Sequence, residues 1–108
     1  MNEKVVVNEI VLLTVIVEKT HKDNLIALLS EAGGQLINTM YGKDLAKEET
    51  GYLRAALGLV SKENRVVVTC LLPSEESALM IETLIEKFEL DKPDAGAAFT
   101  VPVETLSF

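Results

Sequence analysis

Two successive passes of strand, helix and strand along the 108 residues predict an α+β domain of the ferredoxin-like βαββαβ type. The first pass runs from Ile10 to Tyr41, and the second runs from Arg65 to Val103. Right-handed crossovers place both helices on one face of the antiparallel four-stranded sheet. We therefore expect a single domain over residues 1–108, which oligomerises through the other face of its sheet.

The first pass opens with Ile10–Val17, whose β-branched and apolar residues predict a strand buried on both faces. Thr20 is predicted to cap the helix that follows. The apolar stripe of this helix consists of Leu25, Leu28, Leu29 and Ala32. Gly33 and Gly34 end it, because glycine accepts the left-handed conformation that is common at helix C-termini. The next strand is Gln35–Tyr41, and the N-terminal Met1–Glu9 fits either an extra strand or a loose terminus.

The second pass opens with Arg65–Leu72, which is again apolar at nearly every position. Ser74, after Pro73, is predicted to cap the second helix. The stripe of that helix is predicted to be Ala78, Ile81, Leu84, Ile85 and Phe88, and both Met40 and Met80 are expected in the core. Asp91–Gly96 reads as a turn. Ala98–Val103 is the last strand, and Pro102 restricts it to a sheet edge or a strand end.

The two apolar strands have more surface to bury than two helices can cover. Helices on one face leave the Val, Ile and Leu side chains of the opposite face in water, although burying each one contributes about 1.5–3 kcal/mol. A monomer rarely exposes such a patch. We therefore expect this face to pack against copies of itself in a closed cyclic assembly. The strand pattern leaves open whether two or three copies assemble.

The composition excludes several functional classes. The formal charge is −7, from 17 acidic and 10 basic residues, and the cations are scattered, so binding to nucleic acid is not expected. Cys70 is the single cysteine and predicts no internal disulfide. The apolar run near the N-terminus is too short to span a bilayer and has no cleavage signal, so we expect a cytoplasmic protein without membrane insertion.

The connection Gly42–Ser61 is far longer than the roughly 2–5 residues that a hairpin turn needs. Connections of this length are often binding loops. This loop carries Lys43, Lys47, Tyr52 and Arg54, and an exposed tyrosine beside cations is typical of a recognition surface. We expect Lys47, Tyr52 and Arg54 to dock a partner protein. The alternative is that Tyr52 only packs the loop onto a neighbour.

Three segments resemble the nitrogen-regulatory PII signalling proteins and their PII-like relatives. They are LIALLSEAGGQLINTMYGK, VVVTCLLPSEE and AGAAFTVPVE, and the similarity extends from about Ile10 to Glu104. The resemblance implies a trimer of ferredoxin-like subunits without catalytic activity. It also implies that an adenine nucleotide such as ATP, ADP or AMP binds as an effector in each cleft between subunits. The long loop then docks onto a transporter or an enzyme, and in some members a tyrosine on it is modified.

The sequence also departs from the family pattern. The turn before the last strand is Asp94-Ala95-Gly96 and is followed by Ala97, where the family has a glycine-rich turn followed by a lysine. The glycine pair at the loop entrance is reduced to Gly42. These differences leave open a weak affinity for phosphate or a different ligand.

By this resemblance, the ligand site lies where the loop base, the neighbouring strand and the Asp91–Gly96 turn meet. The turn offers backbone N–H groups, with Lys92 as the counter-charge; a plain surface turn is the alternative. The implied site residues are Met40, Tyr41, Gly42, Lys43, Cys70, Leu71, Lys92, Gly96 and Ala97.

Two other functional classes fit parts of the sequence less well. One is a ferredoxin-like trimer that binds a metal ion, as in copper-tolerance proteins. The single histidine, His21, and the single cysteine, Cys70, make a poor site for a soft metal. His21 is expected to be a solvated residue at a helix end, and Cys70 a small buried hydrophobe. The other class is an enzyme, which lacks a recognisable set of acid, base and nucleophile.

Overall fold

A computed structural model describes residues 4–6, 9–41, 64–103 and 105–107, with side chains for 9–41 and 64–103. The predicted loop Gly42–Ser61, and with it Gly42, Lys43, Lys47, Tyr52 and Arg54, lies outside the described residues. In chain order the elements are β1 (Lys4–Val6), β2 (Ile10–Glu18), a 3-10 turn (Lys19–His21), α1 (Lys22–Glu31), β3 (Gln35–Tyr41), β4 (Arg65–Pro73), α2 (Ser74–Phe88), β5 (Ala97–Pro102) and β6 (Thr105–Ser107).

The main sheet has the strand order β3-β4-β2-β5, and all of its pairs are antiparallel. This order, with helices after β2 and β4, confirms the ferredoxin-like α+β fold. β1 pairs with β6 in a separate two-stranded sheet, so part of the N-terminal segment is an extra strand. Among the described residues, no helix is long and apolar enough to cross a membrane.

One face of the main sheet packs against both helices and forms the hydrophobic core. Alternate residues of β2 and β4 point to this side, as the period of two in a strand requires. The buried core residues are Val11, Leu13, Val15, Val17, Leu25, Leu29, Val66, Val68, Cys70, Leu72, Met80, Leu84 and Phe88. The two helices therefore bury one face of the sheet, as the sequence predicts.

The opposite face of the main sheet, called here the second face, carries the other half of the strand residues. The cross-strand register aligns on it Leu12, Thr14, Ile16, Asn38, Met40, Val67, Thr69, Leu71, Ala97, Phe99 and Val101. The sequence predicts that the apolar side chains of this face are exposed to water in a single chain. At its centre, however, Ile16, Val67 and Thr14 are at most 4% exposed. Towards the edges Phe99 is half-buried, and Val101 is 42% exposed. The apolar surface left for other copies is therefore narrower than the sequence implied.

Both predicted helix caps are wrong. Thr20 lies in the 3-10 turn, which the Lys19 N–H ties to the Asn64 carbonyl at 2.7 Å, and α1 begins only at Lys22. Ser74 is the first residue of α2 itself. Its backbone N–H donates to the Glu9 carbonyl at 2.5 Å. The N-cap residues are His21 and Pro73, each one residue away from the predicted cap, and neither makes a side-chain cap hydrogen bond.

The stripe of α2 is rotated relative to the prediction. Met80, Leu84 and Phe88 face the sheet at i, i+4 spacing and are buried. Ala78 and Ile85 are exposed, which contradicts their predicted core positions. On α1, by contrast, the predicted stripe packs against the core, and Gly33 adopts a φ of +84° directly after the helix. The apolar residues of α2 fit two overlapping stripes, and only packing against the sheet selects one.

Candidate functional site

One straight row of residues connects the two outer strands of the main sheet. Met40 pairs with Val67, Val67 with Ile16, and Ile16 with Ala97. Because neighbouring strands lie about 4.8 Å apart, Met40 and Ala97 are separated by about 14 Å on the second face. Within one chain, these two predicted ligand residues therefore lie at opposite edges of a sheet and do not share a pocket.

The long loop leaves and rejoins the main sheet at adjacent positions. Tyr41, the last residue before it, pairs with Val66, and Arg65 is the first residue of the returning strand. The Lys22 Nζ donates to the Tyr41 hydroxyl at 3.4 Å, and the Lys19 Nζ lies 5.4 Å from the centre of the Tyr41 ring. The second distance falls within the range of a cation–π interaction. Two lysines thus hold Tyr41 at one side of the loop base.

Arg65, at the other side of the loop base, is the most unusual residue of the site. Its side chain is buried, with an exposure of 3%. Nη2 donates to the backbone carbonyl of Asp94, while Nε and Nη1 have no hydrogen-bond partner among the described residues. A buried N–H group without an acceptor costs about 1–3 kcal/mol, and more when the group is charged. Arg65 therefore keeps unmet hydrogen-bonding capacity at the loop base.

In the sequence, Arg65 stands out only as the first residue of a predicted strand. A possible signal was present, because a single cation opens a run that is otherwise apolar on both faces. An unpaired charge is rarely buried. What the sequence did not show is the partner, since Asp94 lies 29 residues further along the chain.

A cleft of about 460 Å³ surrounds Arg65 at the end of the sheet and is called here the Arg65 cleft. It is lined by Glu18, His21, Asn64, Arg65, Phe88, Glu89, Lys92, Pro93, Asp94 and Ala95. His21 is not a freely solvated residue, since it is half-buried and its ring centre lies 5.2 Å from that of Phe88. The cleft combines an aromatic wall with a buried cation at the base of the loop.

Lys92, the predicted counter-charge for phosphate, is engaged within the chain. Its Nζ donates to the Glu89 Oε1 at 2.7 Å. This hydrogen bond and the attraction between the charges lower the pKa of Glu89 and raise the pKa of Lys92. Both side chains are 63% exposed, so the pair can exchange with water and with a ligand. By contrast, no carboxylate of the described residues accepts a hydrogen bond from Nε or Nη1 of Arg65.

The predicted Asp91–Gly96 turn is present and runs from α2 around the end of the sheet to β5. Gly96 has a φ of +139°, and a Cβ at this position would overlap the carbonyl oxygen of Ile16, so a glycine is required there. Asp94 has a φ of +60°, a left-handed conformation that favours glycine. The Lys92 N–H donates to the Glu89 carbonyl just after α2, and the Ala95 N–H donates to the Lys92 carbonyl. They are therefore not available to cradle a phosphate.

Comparisons with known proteins identify the architecture. The apo form of CPII from Thiomonas intermedia K12, a nitrogen regulatory PII-like protein, superposes with a TM-score of 0.65 at 16% identity. The alignment covers 100% of this chain and 99% of that one. The chain has the PII-like fold. CPII bound to ADP, AMP and bicarbonate gives a TM-score of 0.59 at 16% identity, covering 100% and 98% of the two chains. CPII bound to ADP, AMP and acetate gives 0.57 at 16%, covering 100% and 91%.

Neither a protein-family model nor a curated protein sequence matches the chain. The likeness to CPII therefore concerns the fold, and it confirms at this level the resemblance that the three sequence segments indicated. In the PII-like fold of this chain, Met40 and Tyr41 occupy the base of the long loop. Gly96 and Ala97 lie where the turn enters β5.

Cys70 and Leu71, the remaining predicted ligand residues, point to opposite faces of β4. Cys70 faces the helices and is 1% exposed, and burial raises the pKa of its thiol. Its side chain does not reach the second face. Leu71 lies on the second face, half-buried and opposite Leu12 and Gln35. Of this pair, Leu71 alone can present its side chain to a ligand or to another subunit at that face.

The structure offers no support for the metal-binding alternative in the part of the chain that it describes. Among those residues, no three His, Cys, Asp or Glu side chains are grouped so that they could hold a metal ion. Cys70 is buried in the core, and His21 packs against an aromatic ring.

Proposed function

We propose that the chain is a PII-like regulatory protein that binds an adenine nucleotide at the seams of a homotrimer and has no catalytic activity. The observation that carries this proposal is the buried guanidinium of Arg65, which lies at the loop base with two nitrogens unpartnered. A ligand that reaches Arg65 contacts the loop base and the Asp91–Gly96 turn together, because Arg65 is already bonded to Asp94.

The placement of the predicted residues supports a site between subunits. Met40 and Ala97 lie at opposite edges of the second face, so one chain alone does not enclose a ligand between them. A closed assembly through the second face brings an edge of one copy beside the other edge of the next. Phe99 and Val101, which keep part of their apolar surface open, would then be buried.

The fold and the chemistry of the site support an adenine nucleotide as the ligand class. The solved structures of CPII that share this fold contain ADP, AMP, bicarbonate or acetate. We assign the contacts of a nucleotide to the loop base, the second face and the turn. The proposed residues are Met40, Tyr41, Gly42, Lys43, Leu71, Lys92, Gly96 and Ala97, with the backbone at Cys70 and an anion at Arg65. Asp94 and Ala97 replace a glycine and a lysine of the PII pattern, so we expect weak binding of the triphosphate.

The proposed output is the docking state of the loop Gly42–Ser61. A ligand at the loop base biases one arrangement of the loop over another, which is a common form of regulatory switching. Lys47, Tyr52 and Arg54 are the proposed contacts to a partner transporter or enzyme. The ligand then controls docking by its differential affinity for the two arrangements of the loop.

Calorimetry of the purified oligomer with ATP, ADP, AMP and cyclic dinucleotides tests the nucleotide assignment. We expect saturable heat with ADP or AMP, and weaker heat with ATP. Ala97→Lys restores a cation beside the turn and is expected to raise the affinity for ATP by about tenfold, because one added charge pair contributes about 1.4 kcal/mol at a partly buried site. Lys87→Ala, on the exposed end of α2, is the matched control and should change nothing. The absence of heat with every nucleotide would refute the assignment.

A further inference from the structure

The side of α2 that faces away from the sheet, called here the α2 outer face, combines exposed apolar side chains with acidic ones. Leu79 is 68% exposed and Ile85 is 38% exposed, although a surface helix usually turns polar residues to water. At 3.6 residues per turn, these two side chains are about 120° apart around the helix axis, and Glu82 and Glu86 lie between them. The buried residues of α2 lie on its other side. The α2 outer face is therefore an unpartnered helix face with apolar contact surface.

A groove of about 450 Å³ lies at the C-terminal end of the α2 outer face. It is lined by Glu82, Ile85, Glu86, Glu89, Asp91 and Lys92. Lys92 already pairs with Glu89, so the other carboxylates of the groove leave an excess of negative charge. The C-terminal end of a helix carries a partial negative charge as well. The groove therefore attracts a cation, and Ile85 gives that cation an apolar surface to contact.

The kind of cation follows from the arrangement of the carboxylates. Within residues 9–41 and 64–103, no trio of His, Cys, Asp or Glu side chains is arranged to hold a metal ion. An arginine side chain has different requirements, because its guanidinium donates to carboxylates that lie apart and its aliphatic stem packs on apolar surface. The same charge disfavours other occupants. A second copy of this face, a nucleic acid or an anionic lipid surface would each bring like charges together.

We propose that the α2 outer face docks an arginine-rich segment of a partner protein. One arginine lies in the groove, with its stem on Ile85 and its guanidinium at the carboxylates of Glu82 and Glu86. An apolar residue of the same segment covers Leu79. Lys92 acts as an internal competitor, since its pair with Glu89 is 63% exposed on both sides and can open when a guanidinium arrives.

This docking surface goes beyond the proposed function, because it needs neither a nucleotide nor the loop Gly42–Ser61. The core residues of α2 face the sheet from the side opposite to the second face. The α2 outer face therefore stays open in an assembly that forms through the second face. Nucleotide-free protein is sufficient for the test, so its failure is distinguishable from a failure of nucleotide binding.

Fluorescence anisotropy at fixed ionic strength tests the proposal with three synthetic peptides. The first is a short peptide of arginine, leucine and alanine, the second replaces every arginine by lysine, and the third replaces every leucine by serine. We expect the arginine peptide to bind about fivefold more tightly than the lysine peptide, because only a guanidinium forms paired bonds to carboxylates. Loss of the leucines should weaken binding about tenfold, since Leu79 and Ile85 then stay in water. Equal affinity for all three peptides would overturn the proposal.

Paired acidic substitutions separate docking from general attraction to an acidic protein. Glu82→Gln with Glu86→Gln removes two charges from the α2 outer face, and Asp23→Asn with Glu31→Gln removes two exposed charges from α1. The first pair should weaken the arginine peptide about tenfold, and the second pair under about twofold, because salt screens charges that the peptide does not contact. Equal losses in the two double variants would overturn the assignment to α2.

Paired lysine substitutions test the internal competitor. Lys92→Gln frees the carboxylate of Glu89 and should strengthen binding of the arginine peptide about threefold. Lys87→Gln removes the same charge from α2 outside the groove and should strengthen binding less. A gain in Lys87→Gln as large as that in Lys92→Gln would show that net charge alone attracts the peptide, and it would overturn the place given to the arginine.

Discussion

The two faces of the four-stranded sheet are built from the same strands, yet the chain completes only one of them. On the helix-facing side, every buried member of the core cluster is apolar, from Leu13 on β2 to Leu84 on α2. On the second face the buried set includes a threonine, Thr14, and at the end of the sheet the buried guanidinium of Arg65 is only partly bonded. The helix-facing side of the sheet therefore forms the stabilising core. The other side keeps apolar surface and polar atoms that contacts within the chain do not satisfy. We infer that those unsatisfied groups are where other molecules bind.

The largest expected effect comes from placing a charge on the second face. Phe99→Asp should dissociate the oligomer, because burying a carboxylate at an apolar seam without a partner is strongly unfavourable. Size-exclusion chromatography with light scattering should then give a mass close to the 11.8 kDa of one chain. Leu79→Asp is the control, since Leu79 lies on α2, away from the second face, and is 68% exposed. Retention of the oligomer by both variants would mean that the second face is not the seam.

A smaller but clear effect is expected in the helix-facing core. Leu84→Ala should reduce the free energy of unfolding by about 2–5 kcal/mol, because it leaves a cavity at a site with 0% exposure. Leu79→Ala removes the same atoms from the exposed side of the same helix and should cost well under that. Urea unfolding of both variants measures the difference. Equal losses would contradict the orientation of α2 that the structure shows.

Removing the buried charge of Arg65 should instead increase the free energy of unfolding. Arg65→Met replaces a buried, partly unbonded cation by an apolar chain of similar length, and such replacements are often neutral or stabilising by about 1–4 kcal/mol. We expect a gain near the lower end of this range in ligand-free protein, because the bond to Asp94 is lost. Thermal unfolding with and without acetate measures it, and acetate should stabilise only the unmodified protein. A clear loss of stability without ligand would show that Arg65 is already satisfied in the assembly.

The smallest effect is the pH dependence that Cys70 contributes in the closed core. Burial raises the pKa of its thiol above the ordinary value of 9.0, so the unfolded state loses the proton first as pH rises. The contribution to stability is therefore complete below about pH 9 and is lost as pH rises through the folded-state pKa. Cys70→Ala should flatten this alkaline decline in urea unfolding between pH 8 and pH 10. A decline of the same slope in both proteins would assign it to other groups.

Local pattern was sufficient for most of the fold because strands and helices are reported by periodicity. The apolar runs before Val17 and Leu72 identified the two central strands, and Gly33 identified the end of the first helix. Local pattern was insufficient for the starts of the helices, where the backbone N–H groups of Lys19 and Ser74 donate to carbonyls of distant segments. It also misplaced the face of α2, because its apolar residues satisfy more than one stripe.

The sequence by itself determined the order of the elements, the doubly apolar central strands and the position of the long connection. The tertiary structure decided which residues meet at the site. Arg65 reaches Asp94 because the register of β2, β4 and β5 carries the Asp91–Gly96 turn across the end of the sheet. That crossing brings the Asp94 carbonyl to the guanidinium. Periodicity reports which face a residue occupies, whereas contact across 29 residues depends on how the strands are aligned.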